Sequence, residues 1–245
     1  VAKLMLFIDG TWLYSNTPRL AADYGVTELR LDYGLLPTVL GEEVAAQLGL
    51  REVDVVRTHL FGSYAENVDP LDLDTARRRQ DFYAMLREEF HYEVEDFGID
   101  YRGRRLRRVD RDQEDTFEPR EKCVDIAMAT AMVYYAASPL AYDIAVVVLG
   151  DRDYVPVLQA VRRLGRRVAI ASIRGCCAYD YVDPSDVARV RDADVIWLND
   201  LLPKIELKFE RTQRECESPL HVGNRLVWTT YRPRRGRPFY CSDCM

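Results

Sequence analysis

"VVVLGDRDYVPVLQAVRRLGRRVAIAS", residues 146–172, is the stretch that decides the fold. Its head belongs to "YDIAVVVLGD" (142–151), whose apolar run has the length expected for a strand buried on both faces. The run stops at Gly150-Asp151. Residues 154–164 then read as a helix and "RRVAIAS" (166–172) as the next strand. A strand, a short helix and a second apolar strand in this order form a right-handed crossover between parallel strands.

The same alternation extends outward. Residues 3–8 (KLMLFI) read as a short buried strand, 35–48 as a helix and 53–64 as a second strand. Residues 72–90 read as an amphipathic helix with Phe82, Met85, Leu86 and Phe90 apolar. Residues 93–109 read as a strand pair turning at Tyr101-Arg102-Gly103, 122–137 as a helix, and 194–200 as a last short strand. The expected class is therefore α/β: an open, mainly parallel sheet flanked by helices. It occupies residues 1–204. Residues 205–245 are rich in Pro, Arg and aromatics without visible period and read as a small irregular C-terminal extension.

The 245 residues, 48% hydrophobic, suffice for one domain with a real core and an appendage. No signal peptide and no membrane-length apolar run is read, so a soluble, cytoplasmic chain without a membrane partner is expected. The six cysteines show no disulfide framework. The net charge of −6 argues weakly against a nucleic-acid partner, but the arginines cluster at 77–79, 102–108, 162–167 and 232–237. Arginine forks suit phosphate, and solvated faces explain such runs equally well.

Asp9 ends the first strand, and Asp151 ends the 142–151 strand with Asp153 two residues on. Sites in open α/β sheets form at the carboxyl ends of strands where strand order reverses, so both strands are expected to open on one crevice. The helix "EKCVDIAMATAMVYYAA" (121–137) is apolar nearly all round and is expected to be buried, with Asp125 as its interruption. A buried carboxylate needs a partner, and Lys122 or a shared metal would serve. Asp9, Asp125, Asp151 and Asp153 form an all-oxygen set suited to magnesium or manganese. Each has a plainer role open to it: Asp9 and Asp151 as turn formers, Asp153 as a helix cap, Asp125 as an ion-pair partner. "FIDGT" (7–11) sounds like a haloacid-dehalogenase phosphatase, but the nucleophile's position is held by Phe7.

"LFIDGTWLY", "EKCVDIAMATAM" and the 146–172 block together resemble the NYN branch of the PIN-like nucleases, in particular its LabA-like bacterial members. The resemblance rests on Asp9 and Gly10; on Lys122, Val124 and Asp125; and on Gly150, Asp151, Asp153, Tyr154, Pro156, Gly165 and Arg167. It implies a central parallel sheet, four acidic ligands for magnesium or manganese, and ribonuclease activity. Two positions depart from the family pattern. Trp12 stands where Asn is frequent, with Asn16 one turn on, and Leu149 stands where Ser or Thr usually precedes Gly-Asp.

In the extension, Cys216, His221, Cys241 and Cys244 make a candidate zinc set, in which Cys-x-x-Cys is the regular half. "TTYRPRRGRPFY" (229–240) mixes arginines with aromatics, a composition able to bind single-stranded RNA or another protein. The reading is a metal-dependent endoribonuclease leaving a 5′-phosphate and a 3′-hydroxyl. Its catalytic residues are Asp9, Asp125, Asp151 and Asp153. Arg77, Arg78, Arg79, Arg102, Arg104, Arg105, Arg232, Arg234 and Arg235 contact single-stranded or structured RNA, and a homo-oligomer stays open. The rival is a non-catalytic RNA-binding or regulatory module.

Overall fold

The computed structural model describes residues 1–119, 123–208, 212–229 and 238–244. Lys122, Arg232, Arg234 and Arg235 lie outside them. The chain divides into two compact units, Val1–Glu206 and Leu207–Met245.

The larger unit is a six-stranded, all-parallel sheet. Its strands are β1 (Ala2–Asp9), β2 (Val53–Val68), β3 (Glu93–Arg104), β4 (Ile144–Val148), β5 (Arg167–Ser172) and β6 (Ile196–Trp197), in spatial order β3-β2-β1-β4-β5-β6. The chain winds outward from β1 to β3, then returns to the other side of β1 and winds outward again. The order thus reverses between β1 and β4, which pair directly from Leu4↔Ile144 to Ile8↔Val148.

Side chains alternate across these strands, so each face has its own core. Leu4, Leu6 and Ile8 of β1 and Val146 and Val148 of β4 face one side. They pack there with α1 (Gly10–Tyr24), α2 (Leu36–Gln47), α3 (Leu73–Phe90) and α7 (Leu198–Ile205). Met5 and Phe7 of β1 and Ala145 and Val147 of β4 face the other, against α4 (Val124–Ala137) and α5 (Val155–Arg163). A one-turn helix, α6 (Tyr179–Val182), completes the chain order between β5 and β6.

Four expectations change. Residues 93–109 are not a strand pair: β3 continues through Arg102 (φ 52°) and Gly103 (φ 75°) to Arg104 as one strand parallel to β2. The left-handed residues that suggested a turn make an irregularity near the strand's end instead. Residues 10–24 form α1, a helix that the sequence pattern does not announce, capped by Asp9 and closed by Gly25 in the left-handed region. Residues 198–205, partly read as strand, are α7. The helix around Asp125 is buried on one stripe only, Val124, Met128, Met132 and Ala136, while Ile126 (71%) and Tyr134 (65%) are largely exposed. The smaller unit holds an antiparallel pair, β7 (Thr212–Glu215) and β8 (Leu226–Thr229).

Candidate functional site

The site is built at the β1/β4 switch point. Alternation along β1 directs residues 5 and 7 toward the α4/α5 face, and Asp9 follows them in phase. Asp9 is only 4% exposed. Its Oδ1 accepts from the Trp12 N–H at 2.8 Å, capping α1, so the helix N-terminus lends its partial positive charge to the carboxylate. Gly10 is required beside it, because a Cβ there would lie 2.9 Å from the Phe61 carbonyl and 2.8 Å from Leu60.

Tyr154 links two of the four aspartates. Its buried hydroxyl lies 3.2 Å from Asp9 Oδ2 and 2.9 Å from Asp125 Oδ1. The phenol has one proton and can donate to only one carboxylate at a time. Burial, reinforced by the charges of Asp9 and Asp125, holds the phenol's pKa far above its usual value, so it stays protonated. Asp125 itself opens α4 at an exposed position, contrary to the burial expected for it. Its first-turn place and the Tyr154 contact, rather than burial, aim its carboxylate.

Asp151 follows β4 and caps the short 3-10 turn Arg152–Tyr154, its side chain accepting from the Asp153 N–H at 3.2 Å. Its own carbonyl accepts from the buried Tyr181 hydroxyl. The preceding carbonyl, that of Gly150, accepts from the Ala178 N–H at 2.9 Å. The segment after β5 thus braces the Gly-Asp turn from behind. Gly150 allows this approach: a Cβ would lie 2.1 Å from the Cys176 carbonyl oxygen and 2.6 Å from the Trp12 ring.

Asp153 does not cap α5 as its sequence position suggested, since the helix starts at Val155 with no side-chain cap. Its side chain is exposed and makes no hydrogen bond or ion pair among the described residues. Asp9 and Asp151, at the ends of neighbouring strands, therefore each hold a structural bond, whereas the Asp153 side chain holds none among the described residues.

No three of the four aspartates bring carboxylate oxygens within 4.8 Å of one another. Asp9 and Asp125 meet on Tyr154, and Asp151 and Asp153 share one turn. The donor chemistry still fits a hard divalent cation. It is all oxygen, it carries up to four charges, and one buried hydroxyl proton stands between two carboxylates that compete for it.

The two departures have structural roles. Trp12 packs its ring against Gly150, and Leu149 is fully buried in the α4/α5 core. Asn16 donates to the Trp12 carbonyl at 2.8 Å. Thr11 and Ser63 pair their hydroxyls at 3.1 Å beside the end of β1, a contact that no sequence motif announced.

The arginines divide into two kinds. Arg104 pairs with Asp115 at 3.0 Å and Arg105 with Asp72 at 2.9 Å, while Arg102 lies over the Phe117 ring. Arg107 and Arg108 bind Asp110 and the Asp112 and Gln113 carbonyls. That run is largely spent on folding its own loop. Arg79 stacks on Tyr14 of α1 at 3.3 Å, whereas Arg77 and Arg78 are exposed and form no ion pair among the described residues. All three sit in the N-terminal part of α3, which enters from the carboxyl edge of the sheet.

The model of the NYN domain family matches residues 3–187. No curated protein and no solved structure matches the chain. No described helix is long and apolar enough to cross a membrane.

Proposed function

The chain belongs to the NYN domain family, of the PIN-like nuclease superfamily, and from that premise we propose that it is a metal-dependent endoribonuclease. The observation that carries the reading is the Asp9–Tyr154–Asp125 bridge at the point where strand order reverses. Two carboxylates that meet on a single hydroxyl proton leave negative charge that a bound cation would neutralise, which supports this reading.

In this reading Asp9, Asp125, Asp151 and Asp153 would hold magnesium or manganese, which when bound would supply charge neutralisation at the scissile phosphate and a more acidic water. The chain's own residues do the placing. Asp9 is fixed by α1's first turn and Asp151 by its cap and by Tyr181. Asp153 is the carboxylate whose side chain has no structural bond to break among the described residues. Tyr154 keeps Asp9 and Asp125 aimed together. Arg77 and Arg78 meet the RNA backbone on approach. Water adds to phosphorus, the bond to the 3′ oxygen breaks, and the products carry a 5′-phosphate and a 3′-hydroxyl.

A second reading, a non-catalytic RNA-binding module, is favoured by the Trp12 ring on Gly150, which puts an aromatic where the family often has an amide. Single-stranded and hairpin RNAs, incubated with magnesium or manganese and with chelator, separate the two. Metal-dependent cleavage supports the enzyme. Binding without cleavage supports the module.

A further inference from the structure

We propose that Cys216, His221, Cys241 and Cys244 form a closed zinc site that folds the C-terminal unit. The sulfurs of the three cysteines and one ring nitrogen of His221 all lie within 4.8 Å of one another. His221 Nδ1 is 3.3 Å from Cys244 Sγ and 3.4 Å from Cys241 Sγ. Tetrahedral zinc, with Zn–S of about 2.3 Å and Zn–N of about 2.0 Å, sets its ligands roughly 3.5–3.8 Å apart. The spacing is that of a coordination shell.

The surroundings prepare these donors for a metal. His221 Nε2 lies 3.1 Å from the Asn224 carbonyl oxygen, which can only accept. The proton therefore sits on Nε2, and Nδ1 turns its lone pair to the sulfurs, the outer contact typical of a ligating imidazole. The Cys241 N–H donates to Cys216 Sγ at 3.3 Å, a bond that favours the thiolate. Cys216 and Cys241 are buried. Three sulfurs converge without forming a disulfide, and an odd number could not all pair.

Local structure brings the four together. Cys216 directly follows β7, and its N–H donates to the Arg225 carbonyl just ahead of β8. The hairpin therefore carries Cys216 on one side of the loop that contains His221. Cys241 and Cys244 belong to one turn, closed by the Cys244 N–H on the Cys241 carbonyl at 2.9 Å. The Glu217 N–H donates to the Phe239 carbonyl and joins that turn to the hairpin.

Among the described residues the unit's buried apolar residues are Cys216, Phe239 and Cys241, with Val227 and Cys244 partly buried against them, a small core. Two strands of four residues are marginal alone, and a unit this small needs a staple. All four donors come from the protein, which leaves no open position, so the site is structural rather than catalytic. Binding releases the thiol protons and couples to folding of the unit.

The test uses the full chain, expressed with zinc present and washed free of loosely held metal. Elemental analysis is expected to give about one zinc per chain. Cobalt exchanged into the chain should show intense d–d bands and sulfur-to-cobalt charge transfer. Cys244→Ser should lose the zinc and expose residues 207–245 to protease while Val1–Glu206 stays resistant. Asp151→Asn should keep the zinc, which separates this site from the aspartates whatever the RNA assays show. Zinc-free protein with freely reactive thiols would overturn the proposal. So would a Cys216→Ser/Cys241→Ser chain that still holds zinc, or cobalt spectra lacking thiolate bands.

Discussion

The hydroxyl of Tyr154 stands 2.9 Å from Oδ1 of Asp125, joining the first turn of α4 to the turn that follows β4. The same oxygen is 3.2 Å from Asp9 at the end of β1. Tyr154→Phe keeps the buried ring and removes that bridge. Without metal, urea denaturation should show a loss of about 1.5–3 kcal/mol, the scale of one hydrogen bond to a charged group. With manganese the two carboxylates would be held by the ion, so RNA cleavage should stay within about fivefold of wild type. A folded Tyr154→Phe protein that cannot cleave would mean the hydroxyl takes part in the chemistry directly.

Asp9 serves as helix cap and as proposed ligand, and the two roles separate by substitution. Asn caps as well as Asp, so Asp9→Asn should fold like wild type and fail to cleave. Asp9→Ala should lose cleavage and also about 1 kcal/mol or more of stability. Thermal melts of both variants in chelator check this. Equal melting temperatures for the two would remove the cap from the account.

The arginines that remain exposed should dominate RNA binding. Replacing Arg77 and Arg78 together by Ala should lower affinity and flatten the log–log salt dependence by roughly 1.4, about 0.7 per lost phosphate contact on a single strand. Arg104→Ala, which breaks the pair with Asp115, should loosen the 102–117 segment and leave the salt slope unchanged. Fluorescence anisotropy over a salt series measures both.

His59 offers a pH test of the core itself. It is 3% exposed, stacked on Phe7 with centroids 5.4 Å apart and tilted over Tyr135 at 5.0 Å; among the described residues neither ring nitrogen has a hydrogen-bond partner. Burial pushes its pKa down to about 4 from the ordinary 6.5. The unfolded chain therefore takes up this proton near pH 6.5 while the folded chain resists until about pH 4. The sign follows: stability is unaffected above the unfolded value and falls as pH drops through the window, by up to about 3 kcal/mol. His59→Phe removes the titration. Its stability relative to wild type should rise between pH 7 and pH 4 in urea titrations. A flat difference would contradict the neutral, buried imidazole.

Much of the fold could be read from the chain because its signals are local. The 146–172 block is punctuated by Gly150-Asp151 and Gly165, and its strands are unbroken runs of Val, Ile and Ala. Misreadings arose where local signals mislead. Arg102 and Gly103 take left-handed conformations inside a strand, so a real irregularity resembled a hairpin turn. α1 is polar and contains Pro18, which hid its period. α4 looked buried all round because composition alone cannot show that Ile126 and Tyr134 face outward. The four aspartates were visible, three of them in turns at strand ends and Asp125 as the interruption of an apolar helix. The role of Tyr154 was not, because a tyrosine in a turn carries no sign that its hydroxyl meets two carboxylates from separate elements.

Asp153 gives the most direct test, because its side chain makes no structural bond among the described residues and its removal should not disturb the fold. The measurement is single-turnover cleavage of end-labelled RNA by wild type and Asp153→Asn, in manganese and in chelator, with matched circular dichroism. Wild type is expected to cleave only without chelator, and Asp153→Asn at least ~100-fold more slowly, more than the loss of an outer contact to a metal ligand causes. Equal rates for the two proteins, or cleavage that persists in chelator, would contradict the metal-dependent reading.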